Sequence, residues 1–342
     1  MVAKFIEKVL VLATGGTIAG SAASAADNIG YTAAQVGVSQ LLDAVPGLDQ
    51  VLAGRMLEAE QVAQIDSKDM SFAVWQQLAL RVSHHLAQAD VTGVVITHGT
   101  DTLEETAYFL HAVLPARQLA AKPVVLTCAM RPASSAAPDG PQNIRDAVVV
   151  ATTTGACGVL AVCAGTVHAA ADVQKVHTYR LDAFSSGDAG AVAYVEEGAV
   201  RLVKNWPLAP VDREHIAIEN IASVNHWPRV EIVMNYVGAS GALVDALLAP
   251  VSAAGAQGRT DARLAPAPPV RGLVVAGTGN GTIHQDLEAA LRRAQALGVR
   301  VVRSTRCATG RVLATESSEF EHSKGLSPVK TRIALMLELM QA

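Results

Sequence analysis

The chain has 342 residues, of which 50% are hydrophobic, 4% aromatic and 17% charged. This length predicts about two domains, and the hydrophobicity excludes an intrinsically disordered protein, while four cysteines are too few for a disulfide scaffold. The formal net charge of −4 gives no electrostatic reason to bind nucleic acid or an anionic membrane. No apolar run approaches the roughly 18 residues that span a bilayer, so we expect no nucleic-acid partner and no membrane anchor.

Short, β-branched apolar runs alternate with helical patterns in the first two-thirds of the chain. Continuous apolar runs are typical of strands that are covered on both faces of a parallel sheet. We predict strands at residues 9–13, 94–98, 124–127 and 159–163. The spacing of apolar residues predicts helices over residues 72–87 and 103–114. This alternation predicts an open α/β sheet.

The first apolar run, residues 9–13, follows Lys4 and Lys8 and could be taken for a signal peptide. The run is shorter than most apolar signal cores, and it leads directly into Thr14-Gly15-Gly16-Thr17. We interpret it as the first buried strand, and we expect no export signal and a cytoplasmic protein. The cysteines form no CxxC pair, so we expect small buried hydrophobes and no metal or redox role for Cys128, Cys157, Cys163 and Cys307.

The composition changes over residues 205–228, where prolines and polar residues interrupt the periodic pattern. We predict a linker there, between an N-terminal domain (1–204) and a C-terminal domain (229–342). In the second domain we predict strands near 231–234, 273–276 and 299–303, helices over 284–297 and 331–340, and an Ala/Pro-rich surface insertion near 249–269. The predicted fold class is α/β, with a larger N-terminal open α/β sheet domain and a smaller C-terminal α/β domain.

Two strand-to-helix turns carry the candidate chemistry. The first, ATGGTIAG at 13–20, places Thr17 after a glycine pair that permits a sharp turn, and it fits neither GxGxxG nor a P-loop. In the second, ITHGTDTLEETAYFL at 96–110, Thr102 and Glu105 fit a capping box. Thr100 and Asp101 then lie before a helix N-terminus, a place suited to a carboxylate or an oxyanion. From spacing alone, Thr17 is equally well explained by a structural turn, and Asp101 by a cap.

Together these motifs resemble the bacterial-type L-asparaginase (asparaginase/glutaminase) family. The resemblance also rests on AMRP at 129–132, DGP at 139–141, DVQK at 172–175, GNG at 279–281 and VRS at 302–304. It covers nearly the whole chain apart from the insertion. It implies hydrolysis of L-asparagine to L-aspartate and ammonia by a homotetramer built as a dimer of dimers. The ten histidines show no HExxH or other metal-ligand spacing, so we expect no metal, and we expect no cofactor.

The resemblance also implies a role for each site residue. It makes Thr17 the nucleophile, assisted by Tyr31, which follows a lid at residues 20–30, and it assigns a proton relay to Thr100, Asp101 and Lys175. Ser67 would hold the substrate α-carboxylate, and Asp101 would accept from the α-ammonium. A neighbouring subunit would supply Asn280 and either Glu316 or Glu319. Two routes stay open, an acyl-enzyme on Thr17 or direct attack by water, and Lys175 could act as a base only when neutral.

One position departs from the family pattern. Extracellular members often have Gln or Glu after the substrate serine, whereas this chain has Lys68. A cation beside the substrate's ammonium is unfavourable, so we expect Lys68 to point away or to pair with Asp66 or Asp69.

Three other functions remain as alternatives. A broad-specificity glutaminase-asparaginase would use the same site. An amidotransferase-type ammonia-releasing subunit is disfavoured because the first motif begins about a dozen residues into the sequence, which leaves no room for an extra N-terminal domain. A non-catalytic amino-acid-binding protein is disfavoured by the complete set of threonines, aspartate and lysine.

Overall fold

The computed structural model describes residues 6–207, 218–249, 267–314 and 318–341. The chain forms two compact units, Met1–Val224 and Asn225–Ala342. Of the stretch predicted as a linker, residues 208–217 lie outside the described residues, and a short helix occupies part of the remainder. Most of the predicted insertion, residues 250–266, also lies outside them.

The first unit is built on an eight-stranded mixed sheet. Its strands are β1 (Lys8–Gly15), β2 (Met56–Ile65), β3 (Val91–Thr97), β4 (Pro123–Thr127), β5 (Gly158–Cys163), β6 (Thr166–Ala169), β9 (Ala193–Glu196) and β10 (Ala199–Leu202), while β7 (Gln174–Lys175) and β8 (Phe184–Ser185) form a separate pair. The spatial order is β10-β9-β6-β5-β4-β3-β1-β2, and the five strands from β5 to β2 run parallel. The four predicted strands are confirmed as β1, β3, β4 and β5, although β3 begins at Val91 and ends before His98.

Helices cover the sheet because its parallel strands are apolar on both faces. They are α1 (Val38–Asp43), α2 (Leu48–Leu52), α3 (Phe72–Leu86), α4 (Leu103–Val113), α5 (Ala116–Ala121), α6 (Gly140–Thr152) and α7 (Ile218–Ser223). Val9 and Val11 of β1 pack with residues of α1, α2 and α6, whereas alternation turns Leu10 and Leu12 to the opposite face, where they are equally buried. The predicted helices over 72–87 and 103–114 are confirmed as α3 and α4.

The second unit is a smaller parallel sheet with helices. Its strands β11 (Arg229–Met234), β12 (Val270–Gly277), β13 (Arg300–Thr305) and β14 (Glu321–His322) lie in that order, with α8 (Ala242–Leu248), α9 (Gln285–Ala296) and α10 (Pro328–Leu339). Leu273 and Val275 of β12 pack against Leu287 and Leu291 of α9. The predicted strands and helices of this half are confirmed within a few residues, and so is the α/β fold class.

The apolar run at residues 9–13 is an inner strand of the first sheet, between β2 and β3, as predicted. Cys128, Cys157 and Cys163 are buried as expected, whereas Cys307 is exposed and departs from that prediction because it lies in the turn after β13. The Sγ atoms of Cys128 and Cys163 lie 3.2 Å apart at the ends of β4 and β5. None of the helices in the described ranges is long and apolar enough to cross a membrane.

Candidate active site

The candidate site lies at the carboxyl ends of three neighbouring parallel strands, the edge where open α/β sheets bind ligands. Thr17 follows β1, Ser67 follows β2, and Thr100 follows β3. These three residues are far apart in sequence but lie at the same edge of the sheet, because β1 lies between β2 and β3.

Two glycines allow the chain to turn sharply at the end of β1, directly before Thr17. Gly15 and Gly16 have φ values of 100° and 82°, a region that disfavours any side chain. The Gly16 N–H donates to the Ile65 carbonyl at 2.8 Å, which fixes this turn against the end of β2. Thr17 then begins a 3₁₀ turn and is 8% exposed.

The first and second threonine turns touch through glycine. A Cβ on Gly16 would overlap the backbone of Gly99, so neither turn could approach the other with larger residues. Thr17 and Thr100 each follow one of these glycines directly, and both are largely buried. The close glycine contact therefore brings the two hydroxyl-bearing segments together.

Tyr31 contacts the proposed nucleophile. Its hydroxyl lies 2.7 Å from Oγ1 of Thr17, and either atom can donate the proton. The segment that precedes Tyr31 is closed at its base by paired backbone hydrogen bonds between Ser21 and Thr32, both 2.9 Å. The Ala22 N–H donates to the Ser134 hydroxyl at 2.8 Å, which ties the segment to a second loop.

The relay residues meet at the Lys175 ammonium. Its Nζ donates to Oγ1 of Thr100 at 2.8 Å and to Oδ1 of Asp101 at 2.6 Å. Lys175 comes from β7, far along the sequence, and its backbone N–H donates to Oε1 of Glu104 at 3.4 Å. The sequence reasoning missed Glu104, whose only signal was its place in the first turn of α4.

Ser67 joins the site through the same helix start. Its side chain is nearly inaccessible, and its Oγ accepts the Asp101 N–H at 3.3 Å. The Thr102 hydroxyl donates to the Ser67 carbonyl at 2.9 Å and makes no cap hydrogen bond. The Thr102 half of the predicted capping box is therefore wrong, because its hydroxyl contacts the loop after β2, although the helix begins directly after Thr102 as predicted.

A buried hydrogen-bond chain supports the second turn from beneath. His98 is fully buried, with Nδ1 2.8 Å from the Gly99 carbonyl and Nε2 2.9 Å from Oγ1 of Thr106. The Trp75 indole N–H donates to the same Thr106 oxygen at 2.9 Å. Since a carbonyl only accepts, Nδ1 carries the proton and Nε2 accepts from Thr106. Burial lowers the pKa of His98 to about 4, so the ring is neutral at pH 7.

Lys68 pairs with its neighbours, as the sequence predicted. Its Nζ lies 2.5 Å from Oδ2 of Asp66 and 3.6 Å from Oδ2 of Asp69. The other oxygen of Asp66 accepts the Lys68 backbone N–H at 3.3 Å, so one carboxylate binds both ends of this residue.

The residues predicted to serve a neighbouring site belong to the second unit. The Asn280 side chain is held by the Leu313 backbone, accepting its N–H at 2.7 Å and donating to its carbonyl at 3.3 Å. Glu319 pairs with Arg292, with Nε to Oε2 at 2.6 Å. Glu316, the other candidate, lies outside the described residues.

Comparison with known proteins identifies relatives along nearly the whole chain. The family model "Asparaginase, N-terminal" matches residues 8–208, and "Glutaminase/Asparaginase C-terminal domain" matches residues 229–342. L-asparaginase 2 of Escherichia coli is 36% identical over 98% of this chain and 90% of its own length. A probable periplasmic L-asparaginase of Haemophilus influenzae is 35% identical over 98% of this chain and 89% of its own length. The crystal structure of a probable cytoplasmic L-asparaginase from Campylobacter jejuni superposes with a TM-score of 0.83 and a sequence identity of 33%. The match covers 98% of this chain and 96% of the Campylobacter jejuni chain.

Proposed function

This chain belongs to the asparaginase family, and from that premise we propose that it hydrolyses the side-chain amide of L-asparagine to L-aspartate and ammonia, with Thr17 as the nucleophile. The assignment of roles rests on two hydrogen bonds, one to each of the threonines that follow the contacting glycines Gly16 and Gly99. Thr17 meets Tyr31 on one side, and Thr100 meets Lys175 on the other. Amide hydrolysis needs both a nucleophile and a route for protons.

Proton transfer is divided between two hydrogen-bonded pairs, Thr17 with Tyr31 and Thr100 with Lys175. Tyr31 is placed to accept the proton of Thr17 as the Thr17 oxygen forms a bond to the amide carbon, and it passes its own hydroxyl proton on toward the leaving nitrogen. Lys175 forms an ion pair with Asp101, with Nζ 2.6 Å from Oδ1, and the same Nζ is a donor to the second threonine of the site. Its donation to Oγ1 of Thr100 leaves the Thr100 proton free to point toward the leaving nitrogen.

The reaction then runs in two steps through an acyl-enzyme. The Thr17 oxygen bonds to the amide carbon, the C–N bond breaks, and the proton lost by Thr17 is delivered to the nitrogen, which leaves as ammonia. Water then attacks the ester, restores the Thr17 hydroxyl and releases L-aspartate. Direct attack by water is the competing route, and it differs because no ester on Thr17 would form.

Substrate orientation follows from the charged groups around the turn. Oδ1 of Asp101 accepts from Lys175, while within the described ranges Oδ2 accepts no hydrogen bond. The Asp101 side chain is half-exposed, and this oxygen is the acceptor for the substrate α-ammonium, while Ser67 holds the α-carboxylate.

The site is completed in a homotetramer, a dimer of dimers, by Asn280 and either Glu316 or Glu319 of a neighbouring subunit. The contacts between Asn280 and Leu313 support this role because they fix the amide in one orientation. Co-expressed Thr17→Ala and Asn280→Ala subunits, each inactive alone, should regain activity in mixed oligomers, and light scattering gives the subunit number. We place the protein in the cytoplasm, because the similar structure from Campylobacter jejuni is that of a probable cytoplasmic L-asparaginase. Cell fractionation tests this placement, since the relative from Haemophilus influenzae is a probable periplasmic L-asparaginase.

A second candidate is a glutaminase-asparaginase of broad specificity, favoured by the description of the C-terminal family model. The deciding experiment measures ammonia release from L-asparagine and from L-glutamine, with Thr17→Ala as the inactive variant and Thr17→Ser as its matched control. Rapid release from asparagine that vanishes in Thr17→Ala supports the proposal. If Thr17→Ala retains most of the rate of ammonia release, the assignment of Thr17 as the nucleophile is refuted. A covalent adduct on Thr17, detected by mass spectrometry after rapid quenching, separates the acyl-enzyme from direct attack by water.

A further inference from the structure

A charged cluster flanks Ser67, the residue whose Oγ accepts the backbone N–H of Asp101. Ser67 is anchored to residues 101 and 102 through two hydrogen bonds, so the next residue, Lys68, is fixed within one residue of that contact. A lysine side chain is long and rotates freely when it is exposed, and that of Lys68 is 62% exposed. Its ammonium carries the same charge as the α-ammonium that Asp101 is proposed to bind.

Asp66 holds this lysine in a defined direction. One carboxylate oxygen accepts the Lys68 backbone N–H, and the other pairs with Nζ at 2.5 Å. Asp69 adds a longer contact of 3.6 Å from the other side of the turn. The hydrogen bond from Asp66 raises the pKa of Lys68, so the lysine stays charged throughout the neutral range.

A lysine released from these partners would be free to turn toward the carboxylate of Asp101, whose backbone N–H contacts the preceding residue, Ser67. Oδ2 of Asp101 carries negative charge and, within the described part of the chain, has no hydrogen-bond partner. Lys68 would compete there with the α-ammonium of an amino-acid substrate, and it would also repel that group. Neither effect would act on a ligand without an α-ammonium.

We propose that Asp66 is a specificity-determining residue, which sequesters Lys68 so that Asp101 stays open to the α-ammonium of the substrate. This inference rests on the proposed function, in which Asp101 binds that ammonium. Asp66 touches neither the substrate nor the reacting atoms, so it acts as a positioning residue through Lys68. Its effect falls on substrate binding and leaves the chemical step alone.

The test is a double-mutant cycle on ammonia release from L-asparagine, with Asp66→Asn, Lys68→Gln and the double variant. Asp66 caps the short 3₁₀ turn Ser67–Asp69 by accepting the Lys68 N–H. Asn caps as well as Asp does, so Asp66→Asn keeps this acceptor while it removes the charge. We expect Asp66→Asn to raise KM by about two- to fivefold with kcat within twofold, a loss typical of one exposed charge pair. In the Lys68→Gln background the same substitution should leave KM unchanged. The increase in KM should shrink in high salt.

Two controls separate this effect from damage to the turn. Asp69→Asn, which removes the longer contact, should change KM less than Asp66→Asn does. Succinamate, the analogue of asparagine without an α-ammonium, should show no increase in KM with Asp66→Asn. An equal rise in KM with and without Lys68, or an equal rise for succinamate, overturns the proposal, and so does an unchanged KM.

Failure of the proposed function gives a different result. A wild-type protein that binds L-asparagine and L-aspartate without releasing ammonia refutes the hydrolytic function. The same cycle is then measured in the dissociation constants for L-aspartate by calorimetry, where sequestration of Lys68 predicts the same pattern of weakening and rescue.

Discussion

The Thr106→Val substitution tests whether the buried chain beneath the second turn is a source of stability. Thr106 is fully buried, and its hydroxyl accepts from the Trp75 indole and donates to Nε2 of His98, both at 2.9 Å. Valine has nearly the same shape, so the substitution removes two hydrogen bonds without leaving a cavity. It does leave a buried indole N–H and an imidazole nitrogen without partners.

The expected cost follows from those two lost partners. Each net hydrogen bond contributes about 1 kcal/mol, and a buried donor or acceptor left without a partner raises the cost to about 1–3 kcal/mol. We therefore expect the free energy of unfolding of the first unit to fall by about 2–6 kcal/mol. For a unit of this size that corresponds to a decrease in Tm of about 4–24 °C.

Thermal and urea unfolding followed by circular dichroism measure this loss, with Thr106→Ser as the matched control. Serine keeps the hydroxyl and loses one methyl group, which costs about 1 kcal/mol. Trp75→Phe gives an intermediate result, because it retains the stacking on Phe109, with ring centroids 4.7 Å apart, but lacks the indole N–H. A Thr106→Val protein as stable as wild type, or less affected than Thr106→Ser, would refute the assignment of these hydrogen bonds.

Three further predictions follow from single contacts. Tyr31→Phe should lower kcat for ammonia release by about 10²–10⁴-fold with an unchanged Tm, because it removes the hydroxyl 2.7 Å from Thr17; an unchanged kcat would exclude Tyr31 from the proton route. Gly16→Ala should abolish activity and lower Tm, because φ is 82° and a Cβ would overlap Gly99, whereas Gly54→Ala, with a similar φ of 83° and open space around it, should only lower Tm slightly. Burial raises the pKa of Asp146 to about 6, so the folded state binds more protons than the unfolded state between about pH 4 and pH 6, and stability falls as the pH rises through that range. Asp146→Asn should therefore raise Tm at pH 7 and have little effect near pH 3.5; equal effects at both pH values would contradict this cause.

The strands and helices that the sequence predicted share one property, a strong apolar pattern. The runs at 9–13, 94–98, 124–127 and 159–163 are continuous because their strands are buried on both faces. β2 was missed because its residues are mostly half-buried or exposed, as expected of a strand at the edge of the sheet. α6 was missed because its buried face includes polar residues such as Asn143 and Asp146, which weaken the periodic signal.

The prediction of the capping box failed for a reason that local sequence does not contain. Thr102 and Glu105 have the correct spacing, but the hydrogen bond that the Thr102 hydroxyl donates to the Ser67 carbonyl orients this side chain toward the loop after β2, and it accepts no cap hydrogen bond. Ser67 is distant in sequence and reaches Thr102 only because β2 and β3 flank β1 in the sheet. Long-range contacts of this kind override short-range propensity wherever a loop from a neighbouring strand packs on a helix start.

The sequence by itself determined the family, the α/β class and the two turns that carry Thr17 and Thr100, because each depends on residues close together in the chain. The tertiary structure decided which groups meet. It brings Lys175 from β7 onto Thr100 and Asp101, and it places the buried His98 chain beneath them. The physical reason is that a glycine pair or an apolar run acts locally, whereas a hydrogen bond between distant residues exists only after the strands have taken their order in the sheet.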